Sequence, residues 1–101
     1  MAPPHFFMVR VRAEAKGDAW LCEVDVNHAG QRTSHSVTVK RDDLEVWGTG
    51  FERQDVESLV ARSFDFLLEH EPPNAILATF DLAVIQTYFP DYDGTMKREQ
   101  P

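Results

Sequence analysis

Cysteine is nearly missing from the sequence: Cys22 stands alone, so the chain can close no disulfide on itself. That usage suits a reducing compartment, and a cytoplasmic protein is expected. Long apolar runs are missing too. The run Phe6-Phe7-Met8-Val9 stops at Arg10, well short of a signal-peptide core or of the ~20 residues that span a bilayer. A soluble, unexported chain with no membrane partner is expected. Positive charge is scarce: 10 Lys and Arg against 17 Asp and Glu leave a net charge of −7. A surface of that sign repels phosphate, which counts against nucleic acid as the main partner. Glycine (5) and proline (6) are few, and no Ser/Gly-rich or Pro-rich linker divides the chain, which argues against collagen-like or low-complexity organisation. What is there is 101 residues, 43% of them hydrophobic and 27% charged, enough for one globular core. Residues 1–90 are expected to form a single domain and 91–101 a flexible polar tail.

The first forty residues alternate. Phe7, Val9, Val11, Ala13 and Ala15 are apolar, with Arg10, Arg12 and Glu14 between them; from Trp20 the parity flips to Trp20, Cys22, Val24 and Val26. A third run sets Thr33, His35, Val37 and Val39 against Ser34, Ser36, Thr38 and Lys40. A period of two is the mark of half-buried strands, and the glycines at 17 and 30 supply the turns. Keeping the apolar faces together fixes the register, because a slip of one residue would turn every side chain to the wrong face. A loop over 16–19 then pairs Val11 with Val24, and on the polar face it sets Arg12 opposite Glu23 and Arg10 opposite Asp25. The second hairpin sets Val24 by His35 and Cys22 by Val37.

Beyond Lys40 the period changes. Asp42 caps a short turn through Leu44 and Trp47, and Gly48-Thr49-Gly50 breaks it. A helix is predicted over 55–69 with Asp55 as N-cap, its apolar arc carrying Val56, Leu59, Val60, Phe64 and Leu67. Pro72-Pro73 ends it. A short helix over 73–79 follows, and a last one over 82–89 opens at Asp81, with Phe80 and Ile85 at staple spacing. The expected fold is α+β: a three-stranded antiparallel meander followed by one long and two short helices packed on one face, β-β-β-α-α-α.

The stretch from Arg62, RSFDFLLEHEPPNAILATFDLAVIQTYFPDY, resembles a group of small uncharacterised bacterial proteins that share an RSF-x-FLL … FDL-x-VI-x-x-YFP-x-Y pattern. The resemblance covers roughly the last third. It implies a bacterial fold unit and brings no activity and no catalytic residue with it.

The residues that carry chemistry do not converge in the sequence. His5, His28, His35, His70 and Cys22 lack any metal-ligand spacing. Glu69-His70-Glu71 places neighbours on different sides of a helix end, and Gly48-Thr49-Gly50 has no phosphate-loop lysine. No catalytic, cofactor-binding or metal-ligating residue is therefore assigned, no cofactor is expected, and a non-enzyme is favoured. Arg10, Arg12 and Lys40 with Phe6 sketch a nucleic-acid platform on the polar sheet face, but Glu14, Glu23 and Asp25 cancel its field. The leading expectation is a non-enzymatic protein-interaction module with an unknown protein partner or, as a homodimer, itself. The alternative is a small-ligand or RNA-binding accessory protein using the polar sheet face. Candidates for an apolar contact surface are Phe6, Met8, Leu21, Trp47, Tyr88 and Tyr92. Self-association, where it occurs, is expected at the first strand's edge or near Tyr88.

Overall fold

The parity of the apolar residues sets the strand register. The computed structural model describes residues 8–28 and 30–98. In it β1 (Met8–Lys16), β2 (Ala19–His28) and β3 (Gln31–Lys40) form the antiparallel meander. Val11 faces Val24, Arg12 faces Glu23 and Arg10 faces Asp25, as the alternation requires. The second pairing sets Val24 by His35 and Cys22 by Val37. The first turn is tighter than the four-residue loop expected, for Lys16 still pairs with Ala19. Gly17, at φ +64°, takes the left-handed conformation that such a two-residue turn requires.

Three further features depart from the sequence reading. First, the sheet has a fourth strand, so it is mixed and not a pure meander. Where a short helix was expected, Pro73–Ala75 makes a single 3-10 turn, and the chain then extends into β4 (Thr79–Asp81), parallel to β3 with Val37 beside Phe80. Ser36 N–H donates to the Ala78 carbonyl (2.7 Å) and Leu82 N–H to that of Thr38 (2.9 Å). Those partners come from β3, distant in sequence, so no local pattern announces them. Phe80 and Leu82, buried on either side of exposed Asp81, carry a short period of two.

Second, among the described residues the helices number four in place of three. They are α1 (Arg41–Trp47), α2 (Arg53–Leu68), α3 (Val84–Tyr88) and α4 (Asp91–Arg98). Asp55 does not stand outside α2 as its cap. It lies in the first turn, and its carboxylate accepts the N–H of Glu52 (3.0 Å), satisfying an N-terminal donor from inside the helix.

Third, the expected tail is a helix through Arg98. α4 has Asp91 and Asp93 in its first turn and Lys97 and Arg98 in its last, matching the helix dipole. Tyr92 and Met96, four apart and hence on one face, are both fully buried. Residues 99–101 lie outside the described part.

The helical layer covers one face of the sheet. Val24, Val26, Val37 and Val39 from that face meet Leu59, Val60 and Phe64 of α2 in one core. α2 also clips the free side of β1: the Glu57 carboxylate accepts the Ala13 N–H at 2.9 Å. The opposite sheet face stays open. There the carboxylates opposite the arginines are taken by serines of β3, Ser34 Oγ donating to Asp25 (2.9 Å) and Ser36 Oγ to Glu23 (3.0 Å). Among the described residues no helix is long and apolar enough to cross a membrane.

Candidate interaction groove

Pro72-Pro73 cannot continue α2, so the chain turns out of the helical layer and comes back beside β3. The turn leaves Ile76 and Phe80 buried and Leu77 outside. α3 then crosses the same side, leaving Ile85 buried and Tyr88 outside. Between these segments and the end of α2 lies a groove of about 410 Å3, walled by Leu67, Ile76, Leu77, Phe80, Ile85 and Tyr88. Its volume falls within the ~300–1,000 Å3 of ligand-sized clefts. Leu77 is 52% exposed and Tyr88 69%. Glu71 supplies a carboxylate to the lining.

Two histidines brace the walls. His35 is buried on β3, with Nδ1 2.7 Å from the Leu77 carbonyl and Nε2 2.9 Å from the Thr33 hydroxyl. A carbonyl only accepts, so Nδ1 carries the proton and donates. This bond ties the outer wall to the sheet, while the His35 ring lies 5.3 Å from that of Phe64. His70 sits between the rings of Phe66 (4.4 Å) and Phe89 (5.1 Å) and donates from Nδ1 to the Phe66 carbonyl (2.8 Å). Both are structural braces, hydrogen-bonded and packed at a tilt against aromatic rings.

The candidates named from sequence fall in different places. Tyr88 lines the groove. Met8 is 55% exposed at the start of β1, and Leu21 is half-buried on β2; neither lines the groove. Trp47 and Tyr92 are corrected from surface to core, at 7% and 0% exposure. Their rings pack edge to face at 5.1 Å, since α1 and α4 are neighbours in the helical layer. Each polar tip finds a partner, which is the condition for burying such residues. Trp47 Nε1–H donates to Asp93 (2.9 Å), and the Tyr92 hydroxyl lies 2.7 Å from Ser63 Oγ. Phe6 lies outside the described residues. Leu77 is not among the sequence candidates: a helix over 73–79 would turn it with Ile76 toward the core, whereas the 3-10 turn at Pro73–Ala75 leaves it outside.

Burial favours the neutral forms of Cys22, Tyr92 and Asp43. Burial pushes the Cys22 thiol up to about 12, with Glu57 and Glu23 adding to it. Burial likewise raises the Tyr92 phenol, opposed by its hydrogen bond with Ser63. Asp43 is raised by burial, opposed by the Lys40 backbone N–H that its carboxylate accepts. Asp93 moves the other way, lowered by the indole N–H of Trp47. Among the described residues no three His, Cys, Asp or Glu side chains gather as ligands for a metal ion. The open sheet face mixes signs, with Lys40 lying 3.7 Å from Asp81. The chain matches no family model, no curated protein and no solved structure.

Proposed function

We propose that this protein is a small, non-enzymatic interaction module that engages a protein partner through the groove beside Tyr88, in a reducing compartment such as the bacterial cytoplasm. The observation that carries the reading is the lining. An apolar cleft open to solvent holds two of the large exposed hydrophobic side chains, Leu77 and Tyr88. Apolar surface left open and concave on a small domain is the usual form of a contact site. A single half-buried thiol or paired carboxylate would argue for chemistry; here the thiol is fully buried and protonated.

Site-specific photo-crosslinking in living cells tests this. A benzophenone side chain at position 77 and one at 88 should give an adduct of the same mass, and one at Ser34 on the open sheet face should not. That shared adduct should disappear when Val84→Asp, at a half-buried position of the lining, is combined with either probe and the domain remains folded. Equal labelling from position 34, or no shared adduct from 77 and 88, would sink the proposal.

A further inference from the structure

The charge of this molecule is unevenly placed. Between Ser63 and Met96 the sequence holds Asp65, Glu69, Glu71, Asp81, Asp91 and Asp93 and not one lysine or arginine. That same stretch builds every wall of the groove. Asp81 and Asp93 are paired with Lys40 and Lys97. Glu69, Glu71 and Asp91 meet no lysine or arginine within ion-pair distance among the described residues. Glu71 lines the groove itself, and Glu69 and Asp91 each lie two residues from a lining side chain, Leu67 and Phe89. The segment that walls the apolar floor thus carries acidic side chains and no lysine or arginine, with Glu71 in the lining itself.

We infer that the groove receives a cationic amphipathic helix of a partner protein, its apolar face against Leu77, Phe80 and Tyr88 and a lysine or arginine beside Glu71. This rests on the groove being the interaction site. Charge decides the sign of the partner: an anionic bilayer or a nucleic-acid backbone is repelled by these carboxylates, and so is a second copy presenting the same segment. Backbone geometry decides its conformation. The bonds from Ser36 to Ala78 and from Leu82 to Thr38 turn residues 78, 80 and 82 of the chain toward β3. Only Thr79 and Asp81 of β4 then face outward, too short an edge to hold an added strand. A segment that brings its own backbone hydrogen bonds suits the groove better, and a helix does.

The test uses the whole chain and three synthetic peptides of about four helical turns. One carries leucines at helical spacing with lysines on the other face. The second keeps the leucines and replaces lysine with glutamate, and the third scrambles the first. Backbone amide shifts report where each binds. The lysine peptide should shift groove residues saturably and at least tenfold more tightly than the glutamate peptide. Glu71→Gln should weaken it about two- to fivefold, as for an exposed ion pair. Leu77→Asp should weaken it about tenfold or more, although it adds charge of the sign that a purely electrostatic association prefers. Leu77 is exposed, so this variant should fold, and its own amide spectrum checks that.

Equal binding of the lysine and glutamate peptides in the groove overturns the inference about charge and leaves the groove reading standing. Equal binding of the scrambled peptide, or full affinity in Leu77→Asp, overturns the apolar docking. Shifts confined to the open sheet face, or no groove shifts with any peptide, overturn the helix inference. The groove reading then stands or falls on the crosslinks at 77 and 88 alone.

Discussion

The meander and the segment from Ser63 to Met96 bury comparable side chains by different means. In β1, β2 and β3 each strand pairs with its neighbour in the chain, and one parity rule sorts every side chain inward or outward. In the later segment the partners are remote: Phe80 pairs beside Val37, Tyr92 bonds Ser63, and Trp47 bonds Asp93. Local alternation builds a self-registering sheet, whereas the later segment takes its conformation from what it packs against. The part shaped by remote contacts is also the part that ends up with the groove.

The largest expected effects ask whether the two regions share one core. Phe64 lies near the rings of both His35 on β3 and Phe80 on β4. Phe64→Ala should cost about 3–5 kcal/mol in urea denaturation, and Tyr92→Ala about the same. A Tyr92→Ala protein as stable as the parent would split α4 from the core and break the comparison. Tyr92→Phe keeps the packing and should cost only about 0.5–1.5 kcal/mol, the worth of its bond to Ser63.

Alkaline pH supplies the next contrast. The Cys22 thiol titrates from 9.0 when unfolded and only at about 12 when folded. The unfolded chain therefore loses this proton first, and the stability due to Cys22 is complete below pH 9 and falls as pH rises toward 12. Denaturation midpoints should drop across that window less steeply in Cys22→Ala than in the parent. Equal slopes would place the thiol in contact with water.

The smaller effects lie within the meander. Gly17→Ala should cost about 1 kcal/mol, because a Cβ disfavours φ +64° while meeting no neighbour there. Arg12→Ala should stay within about 0.5 kcal/mol, because Ser36, and not Arg12, holds Glu23. A larger loss would mean that the cross-strand arginine matters more than its geometry indicates.

These residues also show how far the sequence could be read. Val11, Val24 and His35 declare their register because a strand's period of two is visible within nine residues of β1. The arc through Leu59, Val60 and Phe64 likewise declares α2. Thr79–Asp81 is too short to show a period, and its reason for being extended sits on β3. Tyr92 and Met96 are two apolar residues in a polar stretch, enough to anchor a helix once α1 and α2 form a socket and too few to signal one. Of the groove, Tyr88 was legible as a large side chain on a short helix. Leu77 was not, since its exposure follows from the 3-10 turn that replaced a helix.

The clip between Glu57 and Ala13 has a consequence for the molecule's life in a crowded solution. Because Ala13 N–H points away from β2, the alternation of an antiparallel strand sends the amides of Val9, Val11 and Ala15 to the same outer rim. A growing cross-β aggregate needs an uninterrupted row of such amides to copy. The Glu57 carboxylate occupies one in the middle of that row and holds a negative charge where an incoming carbonyl would sit. Recruitment into fibrils must then wait for α2 to lift away, so the helix that completes the core also works as a lock on the rim of the sheet.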